Sequence, residues 1–282
     1  MSPRSQVVLR DPGGITVHRT AIPSGPQVFT ELIPAVRSVS VGVWVPIGSR
    51  HETPATAGAT HFLEHLLFKG TPRRSALDIA ADIEGLGGEI NAFTTKEYTC
   101  YHVRLLDEHL DVAIDVLADM LGSSLLRTSD IEAERGVVLE EIAMSEDDPI
   151  DLGRTELERE LFGTHPLAGP VAGTAHSVST MRTSALRGHY RRYYTPDNYV
   201  ITVVGNASHR KVVSSVTRAF GLAESPVRAP KVSKPPQAPR TRNARVGKAF
   251  EQVNLLRAHG GPARGDDRRY AMAVLHTILG GG

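Results

Sequence analysis

The chain has 282 residues, with 32 Lys and Arg against 31 Asp and Glu, for a net charge of +1. That length is enough for about two domains, each able to bury its own core. The evenly mixed charge leaves no basic footprint for nucleic acid, no run approaches the roughly 18 apolar residues of a membrane span, and the single cysteine, Cys100, excludes an internal disulfide and fits a reducing compartment.

Met1 to Gly14 carries Arg4 and Arg10 but no apolar run of the kind a signal peptide needs, and Asp11 argues against a transit peptide. A cytoplasmic protein is expected. Gly14 to Leu32 reads as two short strands around Ser24-Gly25. From Ser38 to Val45, Val39, Val41, Val43 and Val45 alternate on one face, the mark of a half-buried strand. After Gly48-Ser49-Arg50 a short helix is expected, capped by Thr56 or Thr60, apolar at Leu63, Leu66, Leu67 and Phe68 and stopped by Gly70, with Lys69 suited to its dipole. Ser75 caps a further helix through Ala76, Ile79, Ala80 and Ile83, ended by Gly87-Gly88. Glu89 to Thr94 and Glu97 to Leu105 read as a hairpin, in which Cys100 alternates with Tyr98 and His102 as an ordinary strand thiol. Leu110, Ile114, Leu117 and Leu121 mark a long amphipathic helix.

Ser129 with Glu132 has the pattern of a capping box, opening a helix to about Ser145. Further helices are expected over 149–162, 180–193 and 208–220, with an apolar strand from Val200 to Val204. From Pro226 to Arg245, five prolines among Lys231, Lys234, Arg240, Arg242 and Arg245 suggest a semi-rigid linker. Beyond it, Ala249 to Leu256 reads as a strand and Arg268 to Leu279 as a helix, before Gly280-Gly281-Gly282. Mixed runs of strand and helix predict an α+β fold, helices packed on a mostly antiparallel sheet.

The chemistry concentrates in His61-Phe62-Leu63-Glu64-His65. At about 100° per residue, His65 lies only about 40° from His61, so both imidazoles leave one helix face and can share an ion. Glu64 falls about 80° from their midpoint, within reach of a water on that ion. The order is the inverted form of the zincin motif. Catalytic zinc usually takes three protein ligands and keeps one position for water, so one ligand is missing. The acidic helix that follows offers it. Glu134 and Glu141 share a face to within about 20°, whereas Glu140 points about 100° away from Glu141. One of that pair would bind the metal and the other would support a histidine from behind; the alternative is a plain solvated face.

The segments HFLEHLLFKGT, GGEINAFTTKEYTCYHV, ERGVVLEEIAMSEDDP and YTPDNYVITVVGN, in that order, resemble the pitrilysin or insulinase (M16) family of zinc metallopeptidases, nearest its mitochondrial-processing-peptidase-like branch and bacterial relatives. The resemblance implies the LuxS/MPP-like metallohydrolase fold followed by the beginning of a second copy of it. It also implies zinc held by His61, His65 and Glu141, with Glu64 as general base and Glu134 as the supporting carboxylate. Asn91, Ala92 and Phe93 match the edge strand on which an extended peptide docks by strand addition. The expected domains are a zinc-binding catalytic domain over 1–225, a linker over 226–247, and a truncated start of a substrate-wall domain over 248–282. The expected activity is metalloendopeptidase cleavage of peptides or presequence-like segments, and the alternative is a non-catalytic scaffold or an inactive fragment. Expected partners are a peptide substrate and either a second copy or a chain supplying the second half; neither nucleic acid nor membrane is expected.

Overall fold

The computed structural model describes residues 5–223, 234 and 242–281. Seven strands form one sheet: β1 (Ser5–Arg10), β2 (Thr16–Ala21), β3 (Gln27–Leu32), β4 (Ser38–Val45), β5 (Glu89–Thr94), β6 (Thr99–Leu106) and β7 (Val200–Gly205). Their order is β1-β2-β3-β7-β4-β6-β5, and only the β3–β7 pair is parallel. The expected α+β class and mostly antiparallel sheet are therefore what the chain adopts.

β4 sits inside the sheet because its valines allow it. Val39, Val41, Val43 and Val45 are all buried, and each is in register with β6, with Val41 facing Val103 and Val43 facing Tyr101. Full burial of such a side chain stabilises the fold by about 1.5–3 kcal/mol. The opposite face of these strands carries Trp44, Phe93, Tyr98 and His102 in an aromatic layer with ring centroids 5.5–6.3 Å apart.

Nine helices lie among the described residues: α1 (Ala59–Leu67), α2 (Ala76–Glu84), α3 (Leu110–Ser123), α4 (Thr128–Asp147), α5 (Pro149–Phe162), α6 (Ala175–Thr180), α7 (Thr183–Tyr193), α8 (His209–Phe220) and α9 (Arg268–His276). The 3.6-residue spacing of α3 places Leu110, Ile114, Leu117 and Leu121 in the core, where truncating Leu117 to alanine would cost about 2–5 kcal/mol. Ser75 caps α2 and accepts from the Asp78 amide, in a capping box completed by the Asp78 carboxylate.

Several expectations need correction. Neither Thr56 nor Thr60 caps α1: its N-cap is Gly58, and the acceptor for its first turn is the distant carboxylate of Glu52. The capping box at Ser129 does not form, because α4 already begins at Thr128 and Glu132 pairs instead with Arg135. β1 escapes sequence reading since every one of its residues is exposed and no apolar alternation results. The helix expected over 180–193 is α7, which begins three residues later at Thr183, and the short helix α6 ahead of it was not expected. Ala249 to Leu256 is not a strand. It has no neighbouring strand to satisfy its backbone groups, and Val253 and Leu255 are 99% and 93% exposed. Most of the expected linker lies outside the described residues, and 242–247 has no regular structure.

Candidate metal centre

Two elements build the site. α1 is nine residues long and buries Phe62, Leu63, Leu66 and Leu67 against the sheet side of the molecule, which turns His61 and His65 to its other face. α4 packs against α1 and carries Glu134 and Glu141 two turns apart. The imidazoles of His61 and His65 lie 4.8 Å apart, centroid to centroid, inclined by 66°. His61 Nε2 is 3.5 Å from Glu141 Oε1, and His65 Nε2 is 3.5 Å from Glu141 Oε2. One ligand atom from each of the three lies within 4.8 Å of the others.

These distances are long for hydrogen bonds and suit another role. Ligand atoms about 2.0–2.1 Å from a tetrahedral zinc stand about 3.3 Å from one another. Two imidazole nitrogens and a carboxylate oxygen are a donor set that zinc accepts, with a fourth position left for water. Burial lowers the pKa of His61 and keeps its ring neutral, as a ligand must be. The residues present therefore fit a zinc ion.

The surroundings treat the two histidines differently. His65 donates from Nδ1 to Glu134 Oε2 at 3.3 Å, and Glu134 Oε1 accepts from Lys69 Nζ at 2.6 Å. Glu134 is 7% exposed, so these two partners supply the polar contacts its buried carboxyl needs. His61 Nδ1 is buried and has no hydrogen-bond partner among the described residues. Glu64 leaves α1 beside them, and Thr94 Oγ1 donates to its Oε2 at 2.5 Å. Thr94 ends β5, the last strand in the sheet order, which also carries Asn91, Ala92 and Phe93. Glu140 is exposed and joins none of these contacts, while Cys100 is buried with its thiol pKa pushed up to about 12, as an unreactive strand thiol should be.

The sequence reading missed two neighbours of this helix, Glu52 and His189. Glu52 accepts from the Gly58 and Thr60 amides, both at 2.7 Å, and the Thr60 hydroxyl lies 3.2 Å from Nε2 of the buried His189. The available signal was an acidic residue just ahead of a helix whose N-cap is glycine. Gly58 has φ of 92°, and a Cβ there would stand 2.4 Å from the Ala172 carbonyl oxygen. No other residue fits that close crossing without strain.

Residues 27–175 match the family described as Insulinase (Peptidase family M16), and residues 181–282 match the Peptidase M16 inactive domain. The second match begins before β7, although β7 pairs with β3 and β4 within the one sheet. The chain is similar to an uncharacterized zinc protease of Streptomyces coelicolor, 46% identical over 286 aligned residues that cover 99% of this chain and 62% of the relative. It is also similar to an uncharacterized zinc protease of Bacillus subtilis, 41% identical over 94% of this chain and 64% of the relative. The chain thus spans somewhat over three-fifths of these relatives. Among solved structures, a protease from Helicobacter pylori superposes with a TM-score of 0.72 at 25% identity, covering 83% of this chain and 55% of that one. Pitrilysin shares the fold with a TM-score of 0.74 at 20% identity, covering 84% of this chain and 26% of its own. No helix among the described residues is long and apolar enough to cross a membrane.

Proposed function

The chain belongs to the insulinase family, peptidase family M16, and we propose that it carries the zinc half of a metalloendopeptidase acting on peptides or unfolded, presequence-like segments. The observation that carries this reading is the convergence of His61 Nε2, His65 Nε2 and the Glu141 carboxylate at 3.5 Å beside Glu64. His61, His65 and Glu141 would hold the metal. When bound, zinc supplies Lewis-acid activation of a water, whose pKa it can bring toward about 7, and of the scissile carbonyl.

The chain's own residues do the rest. Glu64 takes a proton from the attacking water and returns it to the amine nitrogen as the C–N bond breaks. Thr94 holds the Glu64 carboxylate in place from the end of β5. Glu134 fixes the His65 ring through Nδ1, which also makes the ring a better donor. Asn91, Ala92 and Phe93 offer the backbone of the outermost strand, where an extended peptide can add with little demand on its sequence. The single buried cysteine suits a cytoplasmic setting.

A second reading is a zinc site without turnover by this chain alone, and it is favoured by the 62% share of the Streptomyces coelicolor relative that the chain spans. Positioning of substrate can supply about 7–11 kcal/mol of a barrier, and a single half holds a peptide loosely. The same experiment tests both readings. Elemental analysis should find one zinc per chain, lost in His61→Ala and Glu141→Gln and kept in Glu140→Gln. Hydrolysis is then compared for residues 1–282, with and without the remaining part of a full-length relative, and for Glu64→Gln in whichever form is active. Glu64→Gln should keep zinc and lose several powers of ten in turnover. Full zinc retention in Glu141→Gln would overturn the ligand assignment.

A further inference from the structure

The two metal-binding histidines are held by different means. His65 has a carboxylate behind its ring, but the buried Nδ1 of His61 has no partner among the described residues. The aim of His61 must then come from the backbone that carries it. That backbone begins at Gly58, which has no side chain to cap the helix. The first-turn amides, which every helix leaves without internal partners, go instead to a residue outside the helix.

We propose that Glu52, with Thr60 and His189 behind it, positions His61 by pinning the start of α1, and so sets how tightly the site holds zinc; the inference rests on the zinc reading above. Glu52 Oε2 accepts from the Gly58 amide and Oε1 from the Thr60 amide, both at 2.7 Å, short for such bonds and typical of a charged acceptor. The Thr60 hydroxyl in turn pairs with His189 Nε2, 3.2 Å away on α7. Thr60 and His189 are both buried, and Burial holds His189 neutral, with its pKa down to about 4. Thr60 immediately precedes His61, so the pinned residue is the one from which the first metal-binding side chain departs.

A local cap would stabilise the helix as well. Ser, Thr or Asp at the N-cap position does so with one short side chain. Glu52 instead closes a loop from six residues upstream, and Thr60 ties the turn itself to α7, so two separate segments fix one helix turn. Burial raises the Glu52 pKa to about 7, so the arrangement works against its own charge. That is a poor way to add stability and a reasonable way to fix a pose.

The experiment uses residues 1–282 and measures zinc affinity by competition with a chelating dye, together with the visible spectrum of Co2+ in the same site. Glu52→Gln keeps the size of the side chain but offers one of the two amides a donor instead of an acceptor. Thr60→Val keeps the amide bond to Glu52 and breaks the link to His189. Roughly ten- to a hundred-fold weaker zinc binding is expected in Glu52→Gln, the range seen when an outer partner of a ligand is lost, and a smaller loss in Thr60→Val. The Co2+ spectrum should shift in both, in samples that circular dichroism shows to be folded. Loss of stability alone would leave the affinity and spectrum of the folded fraction unchanged. Parent affinity and spectrum in folded Glu52→Gln would overturn this inference and leave the zinc reading standing. Failure of the parent to bind zinc or Co2+ would overturn both.

Discussion

Replacing Glu134 by glutamine should separate metal affinity from stability. The side chain keeps its volume and one carbonyl oxygen, but it can no longer serve both His65 Nδ1 at 3.3 Å and Lys69 Nζ at 2.6 Å as an anion. If the oxygen faces His65, the amide group faces an ammonium. Lys69 is 37% exposed and can turn to water, so the stability lost with that ion pair is small, about 1 kcal/mol. His65, by contrast, exchanges a charged acceptor for a neutral one. Its other nitrogen becomes a weaker ligand, and zinc binding should fall by about ten- to a hundred-fold, or about 1.4–2.8 kcal/mol. Lys69→Met is the matching control, since it leaves Glu134 wholly to His65. Chelator competition and thermal denaturation of the apo protein, run on the same three samples, give both numbers. Zinc affinity in Glu134→Gln within twofold of the parent would refute the reasoning, and so would an equal loss in Lys69→Met.

Two further outcomes follow from burial. His189 is held neutral, with its pKa down to about 4 from 6.5 by burial and then by Arg192 and His51, so between those values the unfolded chain binds more protons and stability falls as pH falls, on the order of 3 kcal/mol in all. Glu52 has the opposite sign: its pKa is raised from 4.5 to about 7, the folded chain binds more protons there, and stability falls as pH rises. The two largely offset in the metal-free parent. Relative to it, His189→Gln should therefore gain stability on acidification from pH 7 to about 4.5 and Glu52→Gln should lose it, as read by denaturant midpoints; parallel slopes would contradict the assignment. The segment from 249 to 267 has no regular structure before α9 and exposes Val253 and Leu255, so trypsin should cut at the exposed Arg257 before any bond within β2 to α8, as mass spectrometry of early fragments would show. A first cut inside the sheet would count against this view of the segment.

Periodicity was legible wherever one face of an element is buried. The valines of β4 and the leucines of α3 announced both their elements and their inward sides. Val7, Val8 and Leu9 of β1 carried no such signal because both faces of that strand are exposed. Ala249 to Leu256 carried a false one, since apolar content makes a strand only where a neighbouring strand accepts its backbone bonds. At the site, spacing within one helix was enough to bring His61 to His65 and to put Glu134 and Glu141 on a common face, and the structure brings the two pairs together. Partners from other segments were another matter. The hydrogen bond from Thr94 to Glu64 spans 30 residues and that from His189 to Thr60 spans 129, and no local pattern encodes either.

The shortness of α1 explains why so much of the site depends on distant residues. Nine residues are too few for a helix to persist in water by itself, where about 12–15 are marginal. Its pose is therefore set from outside. Phe62, Leu63, Leu66 and Leu67 seat it on the core, and Glu52 with the Gly58–Gly173 crossing fixes its first turn. Its far end leads through Gly70, with φ of 123°, into a second anchor, where Thr71 Oγ1 and Arg74 Nη1 both reach the buried Asp119 at 2.7 and 2.8 Å. A helix held at both ends and along one face presents its remaining face as a rigid template. That is the arrangement a catalytic metal needs, because ligands fixed before the ion arrives do not have to be ordered by it. It also makes the site dependent on the fold rather than the fold on the site, in contrast to small zinc domains that stay unfolded without their metal.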